Sequence, residues 1–167
     1  FGICLGLQCA VIDYARNICN IKDASSMEFN SNCINPVIDL MQGQKQIQSK
    51  GATMRLGTYQ CDIKPNTLAH KAYNTTKINE RHRHRYEVNN KYRQKMESEG
   101  LIVSGENQDL NLVEMIEIKN HPWFVGVQFH PELKSRIVKA HPLFKDFIKA
   151  SVDIQQKNKC SDSLIIE

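Results

Sequence analysis

The residues best suited to chemistry stand at the start of the chain, where Gly2, Cys4 and Gly6 form the pattern Gly-x-Cys-x-Gly. The same pattern with serine marks a nucleophile on a tight, strained turn between a strand and a helix. Glycine is expected on either side because the turn crowds those two positions. The free N–H groups of the following helix would favour a thiolate, and the N–H of Leu5 would face an oxyanion. The alternative is a buried structural cysteine that precedes a helix.

A base for this cysteine is predicted at His130, which directly follows the apolar stretch 123–129. The carboxyl ends of parallel strands line the active crevice of α/β proteins. Glu132 lies two residues further on, so an extended backbone through Pro131 would point both side chains the same way. The carboxylate would then hold the tautomer of the imidazole and stabilise its charged form. The cysteine and the His-x-Glu pair together are more specific than either motif alone.

The elements that position these residues are predicted from hydrophobic spacing and turn residues. The pattern favours one mixed α/β domain over residues 1–151, followed by a polar tail over 152–167 that frays. The polar stretch 42–50 is expected to be a loop. Helices are predicted over 5–19, 68–73 and 90–99 and from 141, and strands over 36–41, 53–63, 101–103, 112–118 and 123–129.

Composition excludes several classes of protein. The 167 residues are 41% hydrophobic and 24% charged, which is ordinary for a globular domain and excludes extensive disorder. No apolar run approaches a membrane span, and the first residues do not resemble a signal peptide. The six cysteines form no Cys-x-x-Cys pair, so a reduced, cytoplasmic protein is expected. The net charge of +4 is too small to indicate nucleic-acid binding by itself.

The sequence resembles the class I (triad) glutamine amidotransferases, and within them the glutaminase domains of the CTP synthase family. The similarity runs from residue 1 to about 150. The matching segments are 2–8 (GICLGLQ) with Ala10, 54–57 (MRLG), 80–90 (ERHRHRYEVNN), 113–114 (VE), 120–124 (NHPWF), 128–132 (QFHPE), 134–136 (KSR) and 141–144 (HPLF). The cysteine and FHPE elements are shared by triad amidotransferases, whereas ERHRHRYEVNN and HPLF are typical of CTP synthases.

This resemblance implies a mainly parallel central sheet with flanking helices and a glutamine-hydrolysing activity. Cys4 would be the nucleophile, His130 the general acid and base, and Glu132 its orienting partner. The ammonia released would replace the 4-oxygen of UTP in a synthetase domain that uses ATP and Mg²⁺, whereas no cofactor is expected in this domain. A homotetramer built through the synthetase domain is also implied.

Glutamine recognition is implied at positions that match the family. These positions are Leu5, Gly6, Leu7, Gln8, Glu28 and Arg85. A carboxylate such as Glu28 suits the ammonium group of the substrate, and a guanidinium such as Arg85 suits its carboxylate.

The basic run 81–85 has other interpretations. In a strand its three arginines would lie on one face and its two histidines on the other. Few aromatic residues accompany the run, which argues against a nucleic-acid surface. His82 and His84 could ligate a metal, but the flanking guanidinium groups would oppose a cation. A solvated face is the plain expectation for Arg81 and Arg83.

The chain also departs from the family pattern. The glycine-rich loop that supplies a second oxyanion N–H, the first elements of the fold and the synthetase domain are absent. The fold is therefore expected to be incomplete at its N-terminus. Loss of one oxyanion donor costs about 10²–10³ in rate, so weak or no glutaminase activity is expected of the isolated chain. Leu7 stands where the family usually has methionine, and Ala52 where it often has glycine. The alternatives are an amidotransferase serving another synthetase and a non-catalytic assembly or regulatory domain.

Overall fold

The computed structural model describes residues 1–40 and 54–163 of the chain. The predicted loop 42–50 and Ala52 lie outside the described residues, as does the end of the polar tail. None of the helices in the two described ranges combines the length and the apolar composition that a membrane span requires.

Nine strands form two sheets in the described part of the chain. A six-stranded sheet has the order β1-β9-β8-β7-β4-β5, and a three-stranded sheet has the order β2-β3-β6. The strands are β1 (Gly2–Ile3), β2 (Ala24–Ser26), β3 (Asn35–Leu40), β4 (Arg55–Ile63), β5 (Lys77–His84), β6 (Tyr86–Val88), β7 (Leu101–Asn107), β8 (Leu112–Ile118) and β9 (Val125–Val127). The predicted apolar strand 123–129 is thus shorter than expected.

The α/β fold with flanking helices is confirmed, but the sheets are mixed. Among the described strands, β1 pairs with β9 and β2 with β3 in parallel, and the other pairs are antiparallel. The expectation of a mainly parallel sheet is therefore corrected for these residues. The physical reason lies in the connections, because a parallel pair needs a long crossover. The turn 108–111 between β7 and β8 permits only a hairpin.

Four helices complete the described structure: α1 (Leu5–Asn17), α2 (Leu68–Tyr73), α3 (Arg93–Ser98) and α4 (Pro142–Ser163). Helix α1 contacts strands of both sheets, with the fully buried side chains of Leu7, Val11 and Ala15 in the core between them. This packing fixes the direction in which α1 leaves β1. Helix α4 continues across the predicted boundary between residues 151 and 152.

Two glycines adopt positive φ angles at positions where the sequence predicted a strand irregularity and a helix end. Gly57 interrupts β4 with a φ of 105°, as the predicted irregularity required. Gly100 follows α3 with a φ of 106°, which ends the helix as expected. Helix α2 begins after Thr67, whose side-chain oxygen accepts a hydrogen bond from the N–H of His70.

Candidate active site

Cys4 occupies a strained turn between β1 and α1. Its backbone has a φ of 51° and a ψ of −103°, a region that non-glycine residues rarely adopt. Its N–H donates to the carbonyl oxygen of Val127 at 2.7 Å, which ties the turn to the end of β9. Helix α1 starts at the next residue, Leu5. The strand–turn–helix context predicted for the Gly-x-Cys-x-Gly motif is therefore present.

The two glycines of the motif have different environments. A Cβ placed on Gly2 would lie 2.8 Å from the carbonyl carbon of Gly6 and 2.9 Å from its oxygen. Apart from its chain neighbours and the nearby backbone of α1, a Cβ placed on Gly6 would meet no described atom within 4 Å. The crowding that predicted both glycines thus accounts for Gly2 and gives no reason for Gly6.

Replacing Gly2 by alanine is expected to lower the free energy of unfolding by about 1–3 kcal/mol, because the new methyl group would press on backbone atoms. The matched substitution Gly6→Ala lies in the first turn of α1 and is expected to leave stability unchanged or slightly raised. Chemical denaturation of both variants measures the difference. Equal destabilisation by the two substitutions would contradict the close approach at Gly2.

Pairing of β1 with β9 brings the nucleophile and the base to one edge of the sheet. Gly2 lies opposite Gly126 and Ile3 opposite Val127, in parallel register. Cys4 and His130 therefore both follow the carboxyl ends of adjacent strands. The N–H of His130 donates to the carbonyl oxygen of Arg81 at 2.8 Å, which anchors the loop after β9 to β5.

His130 and Glu132 form a direct contact. Nδ1 of His130 lies 2.5 Å from Oε1 of Glu132. Since an ionised carboxylate only accepts, Nδ1 carries the hydrogen and Nε2 is left to act as a base. That Nε2 is shielded from solvent and has no hydrogen-bond partner among the described residues. The extended backbone predicted through Pro131 is instead a short 3-10 turn over Pro131–Leu133, which achieves the same contact.

The surroundings of the Cys4 thiol oppose its ionisation. Burial raises the pKa of this thiol, and the carboxylates of Glu132, Glu28 and Glu87 raise it further. A hydrogen bond from the N–H of Leu5 acts in the opposite direction. The thiol itself is directed at the carbonyl oxygen of Arg83, 4.0 Å away. Forming a thiolate here requires hydrogen-bond donors beside the sulfur and a base to take its proton.

Two glutamine side chains lie against the site. Nε2 of Gln8 donates to the carbonyl oxygen of Tyr86 at 3.0 Å and to Oε1 of Gln128 at 3.2 Å. Nε2 of Gln128 lies 3.7 Å from the Cys4 sulfur. Gln128 was part of the QFHPE match, but the sequence assigned it no role. The available signal was a polar residue at the end of an apolar stretch, two residues before the predicted base His130.

The predicted glutamine-binding residues have different exposures. Leu5, Glu28 and Arg85 are exposed, whereas Leu7 is fully buried in the core. Any substrate contact of Leu7 therefore comes from its backbone. Gln8 is buried as well, and its Oε1 has no hydrogen-bond partner in the described part of the chain. Glu28 lies near enough to the nucleophile to raise the pKa of the Cys4 thiol.

The basic run alternates as the strand pattern predicted. Arg81 and Arg83 are exposed, whereas His82 and His84 are buried, with Nδ1 of His82 2.9 Å from Nε2 of His84. Burial, followed by the Arg55 guanidinium, lowers the pKa of His82 to about 2 and that of His84 to about 3. Both rings are therefore neutral at physiological pH. Residues 1–40 and 54–163 contain no group of three or more His, Cys, Asp or Glu that could hold a metal.

A buried charge cluster supports the two histidines. One nitrogen of the Arg55 guanidinium lies 2.6 Å from Oε1 of Glu114, and the other lies 3.6 Å from Oε1 of Glu87. Nε2 of His82 lies 3.5 Å from Oε2 of Glu114. Burial raises the pKa of Glu114 to about 7, although the guanidinium acts to lower it. This cluster was missed by sequence reasoning, since charged residues ordinarily indicate a solvated surface.

Comparison with known proteins relates this chain to one enzyme family. A model of the class I glutamine amidotransferase family matches residues 1–150. CTP synthase from Pelobacter propionicus is 58% identical over 152 residues, which is 91% of this chain and 28% of that protein. CTP synthase from Flavobacterium johnsoniae is 54% identical over 157 residues, which is 94% of this chain and 29% of that protein. The chain thus spans less than a third of the length of these curated relatives.

Solved structures show the same similarity. The glutaminase domain of Trypanosoma brucei CTPS with bound acivicin matches with a TM-score of 0.86 and 34% identity, covering 92% of this chain and 60% of that one. A proposed GMP synthase protein from Thermoplasma acidophilum matches with a TM-score of 0.60 and 15% identity, covering 95% of this chain and 59% of that one. The second match shows the fold alone. The family model matches most of the length of this chain. This chain therefore belongs to the class I glutamine amidotransferase family.

Proposed function

We propose that this chain is the glutaminase part of a CTP synthase and hydrolyses L-glutamine through Cys4, His130 and Glu132. The observation that carries the proposal is the position of Cys4 at a positive φ beside the end of β9, where the His130–Glu132 pair follows. A cysteine, a histidine and an orienting carboxylate on one edge of a sheet are the parts that acyl transfer requires. The identity to bacterial CTP synthases supports the choice of acceptor.

In this reaction the Cys4 thiolate attacks the side-chain amide carbon of glutamine after His130 has taken the thiol proton. The N–H of Leu5 stabilises the oxyanion that forms. The C–N bond then breaks, and the imidazolium returns its proton to the leaving ammonia. A water molecule, deprotonated by His130, attacks the glutamyl thioester, and glutamate leaves as the thiol is restored. Glu132 holds the imidazole in the tautomer that both steps use.

The amino-acid end of glutamine would be held by charged groups at the rim of the site. Glu28 suits the ammonium group, and Arg85 suits the carboxylate. Gln8 is buried, so the proposed contact of this residue with the substrate would come from its backbone. Gly6 and Leu7 are also proposed to contact glutamine, Leu7 through its backbone because its side chain is buried.

The rest of the proposal concerns the whole protein. A synthetase domain of the same polypeptide would bind UTP and ATP with Mg²⁺ and use the ammonia to form CTP. The whole protein is also proposed to form a homotetramer through that domain and to lie in the cytoplasm. Weak or no glutamine hydrolysis is proposed for the isolated 167-residue chain, because loss of one oxyanion donor costs about 10²–10³ in rate.

The test is to supply the intact protein with UTP, ATP and Mg²⁺ and either glutamine or ammonia. CTP is expected from both nitrogen sources, with one glutamate released per CTP when glutamine is the donor. Chromatography measures both products. Glutamate without CTP would indicate an amidotransferase that serves another synthetase. CTP from ammonia with no glutamate from glutamine would indicate a domain retained for assembly or regulation.

A further inference from the structure

The side-chain amides of Gln8 and Gln128 form a chain that ends at the nucleophile. The chain starts at the backbone carbonyl of Tyr86, which can only accept a hydrogen bond. Gln8 must therefore turn its NH₂ group toward Tyr86, and the same NH₂ group also faces the side chain of Gln128. The reversed amide would place two oxygens against each other. The orientation of Gln8 is thus set by the backbone.

The orientation of Gln128 follows from that of Gln8. Since Gln8 presents an N–H, Gln128 must present its oxygen, and its own NH₂ group then faces Cys4 at 3.7 Å. Gln128 is fully buried, and its backbone N–H donates to the carbonyl oxygen of Glu114 at 2.8 Å. The amide therefore cannot turn to water as an alternative partner. A fixed N–H is directed at the sulfur from the interior of the protein.

The sulfur needs such a donor in one of its two protonation states. As a thiol, Cys4 donates to the carbonyl oxygen of Arg83. As a thiolate it can only accept. The sulfur is half-buried, and both its burial and the carboxylates of Glu132, Glu28 and Glu87 raise the pKa of the thiol. His130 lies on the same loop as Glu132, and its Nδ1 contacts that carboxylate. A neutral N–H donor offsets part of this unfavourable field without adding a second charge to the site.

We propose that the side-chain amide of Gln128 donates a hydrogen bond to the Cys4 sulfur and holds it as a thiolate oriented for attack. Gln8 is the positioning residue that fixes this donor. This inference rests on the proposed function, and it gives a role to a side chain outside the Cys–His–Glu set. Because a hydrogen bond to a charged group contributes to stability, its loss is expected to raise the ionisation midpoint of Cys4 by about one pH unit.

The test is the rate at which iodoacetamide alkylates Cys4 in the intact protein, measured by mass spectrometry from about pH 6 to about pH 11, because the pKa of this thiol is already raised above its ordinary value. Gln128→Met removes the donor and keeps the side-chain size. We expect the midpoint to rise by about one unit, the rate at pH 7 to fall about tenfold, and the rate to recover at high pH. Gln128→Glu keeps an acceptor toward Gln8 but replaces the donor by an oxygen, so its midpoint is expected to rise further. Gln60→Met, on the exposed side of β4, is the control and should match the wild type.

The outcomes separate this inference from the proposed function. An unchanged midpoint in the folded Gln128→Met or Gln128→Glu protein overturns the inference, even if the wild type hydrolyses glutamine. Failure of the wild type to release glutamate overturns the proposed function. The alkylation midpoints of the wild type and the variants would still test the hydrogen bond to the Cys4 sulfur. Thermal unfolding shows which variant is folded. If Gln128→Met does not fold, Gln128→Glu decides.

Discussion

Replacing Cys4 by serine is expected to abolish glutamine-dependent CTP formation while ammonia-dependent CTP formation continues. The strained turn places this side chain at the sheet edge where His130 follows β9, and in the proposed mechanism glutamine hydrolysis depends on its sulfur. Loss of a nucleophile that acts in concert with a base lowers kcat by about 10³-fold or more. Ammonia bypasses the glutaminase step. Initial rates with the two nitrogen sources measure the effect.

The matched control is Cys9→Ser, on an exposed position of the same helix. This variant is expected to use glutamine and ammonia like the wild type. If Cys4→Ser retained glutamine-dependent synthesis, another group would be the nucleophile. If it lost synthesis from ammonia as well, the substitution would have disturbed more than glutamine hydrolysis.

Replacing Arg55 by methionine is expected to cause the largest loss of stability of any substitution considered. Arg55, Glu87 and Glu114 have side-chain exposures of 2%, 3% and 0%. Removing the guanidinium leaves two buried carboxylates without their counter-charge, which costs about 3–5 kcal/mol. Chemical denaturation at neutral pH measures the loss. The control is Arg93→Met, because Arg93 pairs with Glu106 at the surface and its loss should cost less than about 1 kcal/mol.

The pH dependence of the Arg55→Met effect has a defined sign. Burial raises the pKa of Glu114 and of Glu87 above their ordinary values in the folded protein. Such groups destabilise the fold as pH rises and they ionise, and acidification relieves this cost. The difference between Arg55→Met and the wild type should therefore shrink at lower pH, and adding Glu114→Gln should recover part of the loss. A difference that grew on acidification would contradict the assignment.

The nucleophile turn and the His130–Glu132 pair were predictable because their chemistry is local. Spacing of two residues around Cys4 specifies a tight turn, and spacing of two residues brings a carboxylate to the imidazole. The outward and inward alternation of the run 81–85 was predictable for the same reason, since side chains alternate along any strand. In each of these patterns, the local backbone geometry depends on residues only a few positions apart.

The sheet directions and the buried charges depend on distant residues. The short connections 108–111 and 119–124 favour the antiparallel pairings of β7 with β8 and of β8 with β9, which an apolar run alone does not reveal. The sequence predicts Arg55 and Glu114 at the surface, because charged side chains are rarely buried. Their side chains can be buried because Arg55 on β4 pairs with Glu114 on β8. Gln128 was visible in a motif, but the role proposed for it rests on contacts with Gln8 and Cys4 that the sequence does not show.

The most direct measurement of the central claim is to treat the intact protein with a glutamine-like electrophile and locate the adduct by mass spectrometry. The proposed mechanism predicts a single adduct on Cys4 that excess glutamine prevents. The exposed thiol of Cys9 serves as the internal reference and should remain unmodified. Modification spread over several cysteines, or absent from Cys4, would contradict an activated nucleophile at this turn.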